Sequence, residues 1–249
     1  MHHEASQHDE NSFVTLTYAD QHLPMDGSLS VRAVQLFFKR LRKSLAGRPV
    51  RYYACGEYGE TNGRPHYHVI LFGYQFPDLV AWRRSPTGHY LYRSEKLEKL
   101  WPFGHSEVGH VTHQSAGYCA RYTLKKLTGE PAAAHYSRPH PLTGVVSNVI
   151  PEFGLMSRRP GIGSSWFDQF HSDAFPSDFV VIDGTKRPVP RFYKNKLEDL
   201  AALEITRLRK NGSRARSANN TDQRLDTREK LQTLRQAKLV RDLGNANDP

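Results

Sequence analysis

The sequence predicts an α+β fold, a central antiparallel β-sheet with flanking helices. Three observations predict it. Within residues 50–73, two apolar runs flank a turn-rich centre containing Asn62-Gly63, the short-range signature of a β-hairpin. Residues 28–47 and 115–127 carry apolar side chains at helical spacing. These segments fall in the order strand, helix, strand, strand, short helix, strand, helix, which suits an antiparallel sheet with its helices on one face.

Each element has its own signal. Residues 13–19, FVTLTYA, read as the first strand, with Val14, Leu16 and Tyr18 on one face and Phe13, Thr15 and Thr17 on the other. The first helix, residues 28–47, is capped by Ser28 or Ser30 and stopped near Gly47. Val31, Val34, Phe37, Phe38, Leu41 and Leu45 form its apolar stripe, and Arg32, Lys39, Arg40, Arg42 and Lys43 make the remainder basic. That basic surface is either a solvated face or a contact for backbone phosphates. The hairpin follows, then an irregular stretch over 74–93 with a short extended piece at 90–92. Ser94 caps a short helix that Pro102 and Gly104 end. Residues 105–111 read as a strand and 115–127 as the second long helix. Residues 130–150 are loop-like, with three prolines. The Gly161-Ile162-Gly163 run lacks the Lys-Ser/Thr pair of a phosphate loop and reads as a turn. A short strand at 178–184, an extended piece at 187–193 and a helix at 195–210 come next. Residues 211–220 form a flexible break, and the charged remainder is either an amphipathic helix or disordered alone.

The chain has 249 residues and a formal net charge of +10, so an anionic partner is expected, nucleic acid first. Its 12 Tyr and 12 Phe can stack on unpaired bases or simply fill the core. Two cysteines, Cys55 and Cys119, make no disulfide framework, which suits a reducing cytoplasm. No apolar run approaches membrane-spanning length and no signal peptide opens the chain, so no membrane partner is expected.

Two constellations carry chemistry. His66 and His68 alternate along a strand and so point to one face, an arrangement that suits two metal ligands or two hydrogen-bonded histidines of a half-buried strand. A two-residue loop at Asn62-Gly63 would pair Thr61 with Arg64, Gly59 with His66 and Glu57 with His68. Glu57 then joins both imidazoles, while Glu60 turns away. The second constellation is on the later helix. Tyr118 and Tyr122 stack one turn apart, and Lys125 lies almost two turns beyond Tyr118 on the same face; two packed tyrosines and a solvated lysine are the plainer explanation. Together the two sets describe phosphodiester transfer. A divalent cation on Glu57, His66 and His68 polarises a phosphodiester and a tyrosine hydroxyl attacks it. A phenol of pKa about 10 ionises poorly alone, and a lysine or a cation beside it favours the phenolate.

These residues resemble the HUH endonucleases of the Rep superfamily, two-tyrosine type. His66-Tyr67-His68 is similar to the HUH motif, with Tyr67 in its central hydrophobic place. Tyr118-x-x-x-Tyr122-x-x-Lys125 is similar to the tyrosine motif. FVTLTYADQHLP, YYACGEYGETNGRPHYHVILFG, GYCARYTLKK and SRRPGIGSSWF, in this order, resemble the replication initiation proteins of the Microviridae, gokushovirus-like branch. The resemblance implies a ferredoxin- or RRM-like nuclease core over residues 1–175, an extension packing on it over 176–210, and a flexible or helical basic tail over 211–249. It also implies a metal site of Glu57, His66 and His68, holding Mg²⁺ or Mn²⁺, and catalysis by Tyr118, Tyr122 and Lys125. DNA contacts are expected from Arg32, Lys39, Arg40, Arg42, Lys43, Arg121 and Lys126. The implied activity is nicking and rejoining of single-stranded or hairpin origin DNA in rolling-circle replication, with host helicase and polymerase, in the cytoplasm of the bacterial host. The family carries a cysteine-containing segment ahead of the HEAS-like stretch; this sequence has none, so a truncated chain or a shorter branch is expected. Two other readings compete: another HUH protein, a transposase or plasmid relaxase, and a non-catalytic DNA-binding module with a structural metal.

Overall fold

The structure, a computed structural model, describes residues 1–59, 62–85, 88–197 and 199–237, with the side chains of 122–125, 200, 236 and 237 excepted. Residues 1–162 form one compact unit and residues 163–240 a second.

The first unit is built on a seven-stranded antiparallel sheet. After a short helix α1 (His2–Ala5) come β1 (Asn11–Thr17), α2 (Val31–Ser44), β2 (Arg51–Tyr58) and β3 (Pro65–Phe72). Then follow β4 (Val80–Arg84), β5 (Tyr90–Arg93), α3 (Glu95–Leu100), β6 (Ser106–Gly109) and α4 (His113–Lys125). The unit continues with α5 (Glu130–His135), a two-stranded ribbon of β7 (Ser137–Pro139) and β8 (Val146–Asn148), and β9 (Phe153–Met156). The sheet order is β4-β5-β6-β1-β3-β2-β9, which puts the β2–β3 hairpin and β1 in the interior.

Capping follows the expected chemistry. Of the two candidate serines, Ser30 caps α2, its hydroxyl accepting from the Ala33 amide. Ser94 caps α3 in the same way through Leu97, and Thr112 with Ser115 forms a capping box on α4. The apolar stripe of α2 buries Val34, Phe37, Phe38 and Leu41 against Val14, Leu16, Tyr67, Val69 and Leu71. Each such buried side chain contributes about 1.5–3 kcal/mol.

Several expectations need correction. The helices do not share one face. α2 packs on the face of Val14 and Val69, whereas α4 packs on the opposite face, with Phe13, Tyr53, Ile70 and Phe72 around Ala116, Tyr118 and Cys119. The reason lies in β3: every one of its residues is buried, so both faces need a cover. The hairpin register also differs by two residues. Gly59 donates to the Arg64 carbonyl at 2.9 Å, so the connection is longer than Asn62-Gly63 alone, and Glu57 pairs with His66 and Cys55 with His68. A shift of two keeps every side chain on its face. Glu60 and Thr61 lie outside the described residues. The stretch expected to be irregular contains β4, an edge strand whose five residues are mostly exposed and so lack an apolar alternation. Residues 130–150 are not merely a loop but hold α5, β7 and β8, and β9 extends the sheet where no element was expected.

The second unit holds α6 (Ser164–Ala174), β10 (Phe179–Ile182), β11 (Thr185–Pro188), α7 (Arg191–Lys194), α8 (Asp199–Ala215) and α9 (Asp222–Ala237). Phe167, Phe175, Val180, Val189, Tyr193 and Ile205 form its core. The extended piece expected at 187–193 turns into helix at Arg191, and α8 runs through the expected break as far as Ala215. Gly163 is the turn before α6: its φ is 82° and a Cβ there would stand 2.6 Å from the Tyr193 hydroxyl. Among the described residues no helix is long and apolar enough to cross a membrane.

Candidate active site

Strand alternation fixes the site. On β3 the side chains of Tyr67, Val69 and Leu71 enter the α2 core, so His66 and His68 face α4. On β2 the same rule sends Tyr53, Cys55 and Glu57 to that face, and on β1 it sends Phe13, Thr15 and Thr17. Cross-strand pairing then lines up Cys55, His68, Thr15 and Glu107 in one row, with Glu57, His66 and Thr17 in the next.

Glu57, His66 and His68 are 2%, 6% and 3% exposed, so what they touch decides their state. His68 Nε2 lies 2.7 Å from Glu57 Oε1, and His68 Nδ1 lies 3.2 Å from the Thr15 hydroxyl. Thr15 can donate or accept, so it supports either ring tautomer. The His68 ring also stacks on Phe13, at 5.5 Å between centroids. His66 Nδ1 donates to the Arg64 carbonyl at 2.7 Å, which places the lone pair of the neutral ring on Nε2. Arg64 is itself buried and anchored to the Tyr18 carbonyl and to Asp20.

Tyr118 comes down from α4 onto this cluster. Its hydroxyl donates to Glu57 Oε1 at 3.3 Å, and its ring meets His68 edge-on at 5.0 Å. Only 1% of Tyr118 is exposed. The Arg121 guanidinium lies 5.9 Å from the Tyr118 ring centroid. Tyr122 and Lys125 stand on the same helix, but their side chains lie outside the described residues. Lys126 caps the helix and is exposed.

Tyr67, between the two histidines in sequence, belongs to other chemistry. Its hydroxyl accepts from the Ser30 amide at 2.7 Å and lies 3.2 Å from that of Tyr18, and burial pushes its phenol far above the usual value. Cys55 and Cys119 bridge β2 and α4 beneath Tyr118 as buried free thiols. A hydrogen bond to Cys119 and burial hold the Cys55 thiol well above its ordinary pKa, so it stays protonated.

The donor set suits a divalent cation: one carboxylate and two imidazoles from adjacent strands. Glu57 Oε2 is buried and accepts no hydrogen bond, a cost that a cation would relieve. Among the described residues no three His, Cys, Asp or Glu side chains already stand as a formed metal centre. His68 and Glu57 bond each other directly, and a cation would enter by separating that pair.

The basic residues of α2 do not join this cluster, because α2 covers the opposite face. Arg32, Lys39, Arg42 and Lys43 are exposed there. Arg40 is partly buried, donates to the Leu100 carbonyl at 2.8 Å and lies over Phe103. Sequence reasoning missed Thr15 and the Arg64 carbonyl as supports of the histidines. The alternation of β1 already puts Thr15 on the site face, but only its register with β3 brings it to His68.

Residues 11–127 match the family model of replication-associated proteins of the ORF2 type. These residues belong to that family. The replication-associated segment includes Glu57, His66, His68, Tyr118, Tyr122 and Lys125. Three curated relatives agree with the match. Replication-associated protein VP4 of Bdellovibrio phage phiMH2K is 35% identical over 201 residues, which cover 78% of this chain and 59% of that protein. Replication-associated protein ORF2 of Spiroplasma virus 4 is 32% identical, over 76% of this chain and 58% of that protein. Replication-associated protein ORF4 of Chlamydia phage 1 is 30% identical, over 80% and 49%. The chain is thus matched over 49–59% of the length of these relatives. No solved structure matches.

Proposed function

We propose that this protein initiates rolling-circle replication of a phage by nicking origin DNA with a tyrosine and later rejoining it. One observation carries the reading: the Tyr118 hydroxyl and His68 Nε2 converge on Glu57 Oε1, at 3.3 and 2.7 Å, on the sheet face that also holds His66. The match to replication-associated phage proteins and the net charge of +10 support it.

In this mechanism a tyrosine oxygen attacks phosphorus in line with the scissile bond. A phosphorus–oxygen bond to tyrosine forms as the bond to the 3′ oxygen breaks. The 3′ oxygen takes a proton and leaves as a 3′ hydroxyl, and the 5′ phosphate stays on the enzyme. Tyr118 holds its phenolic proton toward a carboxylate, a group able to receive it. The phosphotyrosine retains the energy of the broken bond, so a 3′ hydroxyl can reverse the step and reseal the strand. A second tyrosine, Tyr122, lets one enzyme cleave again before release. Glu57, His66 and His68 would hold Mg²⁺ or Mn²⁺, which when bound supplies Lewis-acid stabilisation of the charge developing on the phosphoryl oxygens. Host polymerase and helicase would extend and unwind from the 3′ hydroxyl, in the cytoplasm of the bacterial host.

The test is a labelled origin oligonucleotide incubated with Mn²⁺ and the protein, resolved on a denaturing gel. The expected result is a protein-linked 5′ product and a free 3′ end, lost on chelation. Tyr118→Phe and Tyr122→Phe, singly, identify the first nucleophile. An adduct that survives in the double variant would overturn the assignment.

A further inference from the structure

A second basic feature lies at the other end of β2. Glu57 stands near the C-terminal end of the strand and Arg51 at its start, about 20 Å away at about 3.3 Å per residue. There the end of α2, the start of β2 and the turn after β9 enclose a cleft of about 1240 Å³. Five arginines line it, Arg42, Arg48, Arg51, Arg158 and Arg159, with no Asp or Glu among the described lining residues.

The five differ in their commitments. Arg51 is bound by Glu4 and by the carbonyls of Pro160 and Gly161, so it shapes the wall. Arg48 reaches out to Glu10 at 2.8 Å and to the Gly73 carbonyl. Among the described residues Arg42, Arg158 and Arg159 have no acidic partner, and all three are exposed. Arg42 is also pre-positioned: it lies over Phe38 and Tyr52, whose rings stack at 3.7 Å. Fixing it on a ligand therefore costs less side-chain entropy than fixing a free arginine. Guanidinium groups without carboxylates select phosphate oxygens. The volume exceeds the roughly 300–1,000 Å³ of ordinary small-molecule sites, which favours a polymer over a free phosphate.

We infer that this arginine cleft binds the phosphate backbone of a DNA segment away from the one being cleaved, with Arg42, Arg158 and Arg159 as the phosphate contacts. The inference rests on the reading of the protein as one that acts on DNA, but not on nicking. Anchored there, the chain holds its DNA while the strand at Glu57 and Tyr118 is cut and passed on.

The test reads binding alone. Labelled oligo(dT) forty nucleotides long is titrated by fluorescence anisotropy in EDTA over a range of salt, so no cleavage occurs. Arg158→Ala plus Arg159→Ala removes two contacts, and the slope of log affinity against log salt is expected to fall by about 1.4, or about 25-fold in affinity at 0.1 M salt, at about 0.7 per single-strand contact. Arg158→Gln plus Arg159→Gln should give the same result if the alanine pair folds poorly. Lys186→Ala plus Arg187→Ala removes equal charge from exposed residues of the second unit and should leave the slope near the parent's. An unchanged slope in the arginine variants, or an equal fall in the lysine–arginine control, would overturn the cleft. Loss of nicking chemistry in the gel assay would leave it standing, so the two readings fail separately.

Discussion

Replacing Glu57 with Gln separates the cost of the carboxylate from its use. In the metal-free protein Oε1 accepts from His68 and Tyr118, whereas Oε2 is buried with no hydrogen-bond partner. An unsatisfied buried polar atom costs about 1–3 kcal/mol, and more when it is charged. Gln keeps an oxygen for His68 and Tyr118, still leaves one buried polar atom unmet, and removes the charge. The metal-free variant is therefore expected to be as stable as the parent or more so, by up to about 1 kcal/mol, which is about 2–4 °C in Tm for a chain of this size. Metal reverses the order. A cation at one hundred times its Kd stabilises the native state by about 2.7 kcal/mol, or about 5–10 °C. Without the anionic ligand most of that shift should disappear. Differential scanning fluorimetry in EDTA and across a Mn²⁺ titration measures both quantities on one sample. A variant that keeps the full metal-induced shift would remove Glu57 from the metal site. A metal-free variant that melts several degrees lower would mean that the carboxylate is part of the fold and not held in reserve for a cation.

Three further outcomes are expected. Thr15→Val leaves His68 Nδ1 without the hydroxyl at 3.2 Å, and Mn²⁺ affinity, measured by calorimetry, should fall about 10- to 100-fold, as for other supports of metal-bound histidines; unchanged affinity would make Thr15 a bystander. Tyr67→Phe strips the Ser30 amide of its acceptor at the start of α2, so chemical denaturation should report a loss of about 1–3 kcal/mol. Gly104→Ala would set a Cβ 2.3 Å from the Ala19 nitrogen and the Thr17 carbonyl oxygen; because backbone must move, the loss should exceed about 3 kcal/mol, visible as a large drop in Tm or in soluble yield.

The site was legible in the sequence to the extent that it depends on period. A strand has a side-chain period of two, so His66 and His68 had to share a face and Tyr67 had to leave it. The same parity kept Glu57 on their face although the assumed turn was wrong by two residues. A register error of one would have turned Glu57 away, and nothing local to Asn62-Gly63 excluded it. The helical period likewise made Tyr118 and Tyr122 neighbours. Edge strands such as β4 were invisible because exposure on most of their residues erases the alternation that marks a strand. β9 was missed although its burial does alternate, since its four residues are too few to give a period.

The sequence by itself therefore determined the residue types, the shared face of Glu57, His66 and His68, and the stripe of α2 that fills the core. Only the tertiary structure decided what those faces meet. It placed α2 and α4 on opposite sides of the sheet, because a strand buried on both faces needs two covers. That division carried the basic surface of α2 away from the histidines and brought Tyr118 down onto Glu57. It also gathered Arg42 with Arg158 and Arg159, more than a hundred residues apart in the chain, into one cleft. Local periodicity sets the direction of a side chain; which long-range partner stands in that direction is settled only by the packing of the whole unit.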